Sequence, residues 1–75
     1  MRDRLVEISF DFEIWLPFDM MNTQRESKTI QTVIISTEED LPKKAQKAAY
    51  EYLYREYRLY GTLITKLNYK LLDKN

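Results

Sequence analysis

Val6–Phe18 reads VEISFDFEIWLPF, and its alternation decides the fold. The even positions Val6, Ile8, Phe10, Phe12, Ile14, Leu16 and Phe18 are all apolar, while Glu7, Ser9, Asp11 and Glu13 between them are polar, with Trp15 the last odd position. Successive side chains of a strand point to opposite faces, so a period of two over a dozen residues specifies a long strand with one buried and one acidic face. Pro17 has no N–H for a ladder and should end this strand or sit at its edge.

Working outward from this stretch, residues 17–27 turn polar around Met20 and Met21, which reads as an eleven-residue loop, long for a hairpin connection. Lys28–Ser36 (KTIQTVIIS) is rich in β-branched residues and predicts a second strand. Glu38, Glu39 and Asp40 then put negative charge where a helix dipole favours it, with Asp40 as the cap and Pro42 in the first turn. Lys43–Tyr60 contains good helix formers and no breaker, and Gly61, the chain's single glycine, stands where a left-handed C-terminal cap would be needed. From Thr62 to Leu72 alternation resumes, with Leu63, Thr65, Leu67, Tyr69 and Leu71 on one side and Ile64, Lys66, Asn68, Lys70 and Leu72 on the other. The expected order is β-β-α-β. A right-handed crossover that skips one position gives an α+β fold: a three-stranded antiparallel-type sheet in order 2-1-3, with one helix packed on one face.

The chain has 75 residues, which form one small domain of residues 1–75. A domain of this size buries only about 60% of its unfolded surface, so stability of a few kcal/mol or help from a partner is expected. It has no cysteine and no histidine, which excludes disulfides, Cys/His zinc sites and histidine-based catalysis; neither a metal nor a cofactor is expected. One glycine leaves no phosphate-cradling loop. No signal-peptide pattern and no membrane-spanning apolar run occur, which with the missing cysteines fits a cytoplasmic protein and no membrane partner. A chain that starts at Met1 with no linker reads as a complete product.

Twelve basic and twelve acidic residues cancel, but they are segregated: residues 1–42 hold four basic against nine acidic, and residues 43–75 eight against three. Glu7, Asp11 and Glu13 form an acidic sheet face that Lys66 and Lys70 of the third strand can neutralise across the ladder. Asp11 and Glu13 could in principle hold a metal or act as an acid/base pair, yet an open strand face supplies no pocket and leaves carboxylates solvated. Ser9, Ser27 and Ser36 have no histidine to activate them. A non-enzymatic protein is expected.

On a helical wheel, Leu41, Ala45, Ala48, Ala49, Tyr52, Leu53, Leu59 and Tyr60 share the face that meets the sheet. Glu56 falls within this stripe and would need a cation, Arg4 or a strand-three lysine. Tyr50, Tyr54 and Tyr57 project from the flank with Lys43, Lys47 and Arg58 nearby. Either Tyr50 and Tyr57 lie over the sheet edge and Met20 and Met21, or the group forms a protein-binding surface of Lys43, Lys47, Tyr50, Tyr54, Tyr57, Arg58, Met20 and Met21.

The expected function is a small protein-binding module acting by steric occlusion. In size and makeup alone, the chain is similar to the small virus- or mobile-element-encoded proteins that bind and disable a host protein, anti-defence inhibitors among them. Two other readings stand beside it. The tyrosines interleaved with Lys and Arg could bind single-stranded nucleic acid by stacking and phosphate neutralisation. An exposed sheet edge, or an open face carrying Ile64 and Leu72, could form a homodimer or larger homo-oligomer.

Overall fold

The computed structural model describes residues 2–16 and 18–72, with every side chain among them except those of Arg2 and Met20. Strand β1 runs Arg2–Leu16, β2 Asp19–Ser36, helix α1 Leu41–Glu56 and β3 Gly61–Leu71. The sheet order is β2-β1-β3, and β1 is antiparallel to both neighbours. The α+β architecture expected from the alternation of β1 is therefore the one observed.

Even-numbered β1 residues face the helix. Val6, Ile8, Phe10, Phe12 and Ile14 are buried with Ile34 of β2 against Leu41, Ala45, Ala49 and Leu53 of α1. Those four helical residues recur every fourth position, which lines them up along one side of the helix. Ala45 and Ala49 are small enough to let the helix backbone approach the sheet closely, and each buried Phe or Leu contributes roughly 1.5–3 kcal/mol. The N-cap is Asp40, with Pro42 in the first turn, although no side chain caps the helix N-terminus.

Four expectations are corrected. The eleven-residue loop does not exist: β2 begins at Asp19, and Leu16 lies opposite Asp19 across a connection of residues 17 and 18. Pro17 itself lies outside the described residues. The polar run pairs by backbone, which needs no apolar side chains, and it gave no alternation because both of its sides meet water. The register is not continuous, however. Ile14 pairs with Gln24 and Leu16 with Asp19, so residues 20–23, including Met20 and Met21, bulge against Trp15 alone.

Second, α1 ends at Glu56, four residues before Tyr60, and Tyr57 caps it with φ −129° and ψ 52°. Leu59 and Tyr60 are consequently exposed and not in the core. Gly61 opens β3 and caps nothing; it lies opposite Trp15, whose indole occupies the space a Cβ would need. Third, the two faces of β3 exchange at a bulge. Asp11 pairs with Lys66 and Phe12 with Ile64, leaving Thr65 unpaired, its hydroxyl donating to the Asp11 carbonyl at 3.3 Å. Ile64 therefore joins the helix side of the sheet and packs on the core, and Leu63 moves to the open face.

Fourth, Glu56 is exposed at the end of the helix and does not enter the apolar stripe. The buried Arg4 instead lies 3.9 Å from the exposed Glu38, just before the helix.

Candidate functional site

The three flank tyrosines do not form one surface. Tyr50 turns toward β3, where its hydroxyl accepts the Ile64 N–H at 3.1 Å, and its ring packs on the core. Tyr57 has left the helix and lies 5.7 Å, centroid to centroid, from Phe12. Burial lifts the Tyr57 phenol above its ordinary pKa near 10, and the neighbouring Glu26 carboxylate adds to the rise. Tyr54 alone points outward, at 70% exposure. Tyr52, on the β2 side, meets Phe10 edge-on at 6.2 Å and carries Lys28 Nζ 5.8 Å from its ring centroid.

Lys43 and Lys47 are exposed on the N-terminal half of α1. Lys43 lies eleven positions before Tyr54, a rise of about 16 Å, and so belongs to a different part of the surface, whereas Lys47 is two turns before Tyr54 on the same side of the helix and lines a groove with it. Arg58 is exposed in the turn that follows the helix. Met21 is 93% exposed in the β2 bulge, and the side chain of Met20 lies outside the described residues.

What the fold does gather is a patch at the C-terminal end of α1. Tyr54, Leu59 and Tyr60 are exposed there around Arg55 and Arg58, and residues 54–60 line a shallow hollow of about 540 Å³. Tyr60 stands edge-on to Tyr57 at 6.1 Å, so the half-buried ring props the exposed one. A second hollow of about 560 Å³ runs from Tyr57 and Tyr60 to Trp15, Leu16 and Asn22 on the hairpin end, where Phe18 and Met21 are also exposed. Leu59 and Tyr60 were missed in the sequence because each fitted an apolar period, and the end of the helix at Glu56 took them out of it. Phe18, by contrast, stands out in the sequence both as the last apolar position of the β1 alternation and as a neighbour of Met20 and Met21 in a candidate apolar contact.

The acidic face is answered strand by strand. Lys70 lies opposite Glu7 and Lys66 opposite Asp11, the neighbours expected. Glu13 faces Leu63 on that side and instead meets Arg25 of β2 at 3.3 Å. Ser27 donates to an Asp11 carboxylate oxygen at 2.8 Å, and Gln31 to Glu7 at 3.4 Å. Among the described residues, no group of three acidic or other metal-binding side chains is placed to hold an ion. None of the described helices is long and apolar enough to cross a membrane.

A longer groove of about 760 Å³ lies between α1 and β2, bounded by Ile30 and Thr32 on the strand and by Ala48, Glu51, Tyr52 and Arg55 on the helix. Comparison with known proteins is negative throughout: no family model, curated protein sequence or solved structure matches the chain.

Proposed function

We infer that the protein is a non-enzymatic binding module whose contact surface is the aromatic end of the molecule. The observation that carries this reading is the exposure of Tyr54, Leu59 and Tyr60 around Arg55 and Arg58, at the end that also exposes Phe18 and Met21. Large apolar and aromatic side chains left in water in one place mark an interaction site, and tyrosine and arginine dominate the energetics of such contacts. The surface differs from the one expected from the sequence: Tyr57 supports Tyr60 from beneath, Tyr50 is tied to β3, Lys43 lies off the surface, and Lys47 borders it beside Tyr54. Steric occlusion of a host protein is the mode of action we favour, supported by the chain's size and makeup.

Nucleic-acid binding ranks second. Lys47, Arg55 and Arg58 do stand beside exposed rings, but the open sheet face carries Glu7, Asp11 and Glu13 and the chain's net charge is zero, so a phosphate backbone gains little from the molecule as a whole.

The test is parallel capture from an extract of the native host, with the wild-type chain and a Tyr54→Ala/Leu59→Ala/Tyr60→Ala variant immobilised side by side. Proteins held by the first and lost from the second, while Lys43→Ala retains them, support the reading. An unchanged set of captured proteins rejects the patch. Binding of a labelled single-stranded oligonucleotide at low salt, abolished at high salt, would favour the second reading.

A further inference from the structure

We propose that the outer edge of β2 is a homotypic docking edge: two copies pair antiparallel through residues 24–30 about a two-fold axis at Ser27, setting Glu26 of each against Lys28 of the other. Among the described residues, strand order leaves β2 with only β1 as a neighbour, so its other side presents backbone N–H and C=O groups with no described strand against them. Residues 21–29 are all exposed, and residues 24–36 keep a regular register with β1. This edge is therefore open and straight enough to template another strand.

The side chains choose the partner. A two-fold axis perpendicular to the sheet keeps each face on its own side, so residues brought opposite must share a face. On β2, Arg25, Ser27 and Thr29 lie on the open face and Gln24, Glu26, Lys28 and Ile30 on the helix face, as their β1 partners require. Only residues of like parity can then meet, and the axis must fall on a residue. An axis at Arg25, Glu26 or Lys28 puts that charge against its own copy. One at Thr29 puts Lys28 against Ile30 and Glu26 against Thr32. The axis at Ser27 alone pairs Glu26 with Lys28, twice by symmetry, with Arg25 opposite Thr29 and Gln24 opposite Ile30. Opposite charges directly across a ladder favour pairing and like charges oppose it.

The other edge fails the same test. On β3 the only charges are Lys66 and Lys70, which an axis at Asn68 would set against each other, and the strand is broken by the Thr65 bulge. A second copy thus fits β2 and does not fit β3. The groove between α1 and β2 would receive the Gln24 side of the added strand beside Ile30 and Tyr52.

Because the chain has no cysteine, one substitution can read the register. Residue 27 would face its own copy at about 4.5–5.5 Å between Cα atoms, within disulfide range, whereas residues 25 and 29 would lie about 13 Å from theirs. Mild oxidation of full-length Ser27→Cys should give a covalent dimer, and Arg25→Cys or Thr29→Cys should not. In sedimentation from about 10 µM to about 1 mM, the wild type should shift from monomer to dimer. Glu26→Lys or Lys28→Glu should each weaken this roughly tenfold or more, and the double reversal should restore it. A wild type monomeric throughout overturns the proposal. So does a dimer that is indifferent to both reversals or cross-links equally at 25, 27 and 29, which would place the contact elsewhere. Circular dichroism of each variant separates lost pairing from lost fold, and the cysteine series remains decisive if a charge variant unfolds.

Discussion

Trp15 and Gly61 face each other across β1 and β3, and the indole fills the space beside a residue with no side chain. A Cβ built on Gly61 would lie 2.5 Å from both Cε2 and Nε1 of that ring, so Gly61→Ala must push the indole aside. The expected cost is about 1–3 kcal/mol, the range of overpacked sites. In a Trp15→Val background the same change should be neutral or slightly stabilising, because alanine loses less backbone entropy than glycine on folding. Urea midpoints of the four proteins in the cycle measure the coupling; equal costs in both backgrounds would show that the ring is not the obstacle. Tyr57 makes a second prediction through pH. Its folded pKa lies above the unfolded value near 10, first because of burial and then because of Glu26. The folded state therefore holds this proton more tightly, a contribution complete below pH 10 and lost as pH rises through the folded value. Stability measured by urea should fall more steeply above pH 10 in the wild type than in Tyr57→Phe. Parallel curves would show that the phenol does not sense its surroundings.

At the scale of elements, legibility in the sequence followed burial. The alternation of β1 was plain because one of its faces is buried under α1 and the other is polar, so each position carries a single instruction. The topology followed from it, since a central strand with a crossover helix leaves few arrangements. The first half of β2 was illegible for the opposite reason: residues 21–29 are exposed on both faces, and only the backbone ladder holds them in the sheet. The end of α1 was misplaced because good helix formers continue to Tyr60, whereas the helix ends at Glu56 and the next residue, Tyr57, packs on Phe12. That one local event accounts for most of the error at the candidate site. It carries Leu59 and Tyr60 from the expected core to the surface and moves Tyr57 from the surface toward the core. The face exchange within β3 has a similar origin, because a single unpaired Thr65 reverses the meaning of every alternating position before it.

The molecule as a whole is elongated, with extents of 45 × 18 × 16 Å. Its Cα radius of gyration is 13.6 Å, against about 11 Å for a compact chain of this length. The reason is a mismatch of lengths: β1 and β2 run nearly the full long axis, while sixteen helical residues cover only about 24 Å of it. The helix starts beside Arg4 and finishes near Phe12, so the hairpin end beyond Ile14 is met by Glu56, Tyr57 and Tyr60 and not by the body of the helix. Stability should therefore be graded along the axis. Backbone amides of β1 between Val6 and Phe12, paired on both sides and roofed by α1, should exchange with solvent only through global unfolding. Those of the 20–23 bulge and of residues 58–60 should open locally and exchange at least tenfold faster, roughly. Hydrogen exchange followed residue by residue at neutral pH tests this, and uniform protection out to the hairpin end would contradict it. The gradient bears directly on the binding surface, because the exposed rings sit at the weakly held end. A partner that docks there should slow exchange in residues 54–60 and in the bulge as well as in the globally exchanging Val6–Phe12 amides. A partner bound elsewhere on the folded state would slow the Val6–Phe12 amides and leave the local openings at 54–60 and in the bulge unchanged.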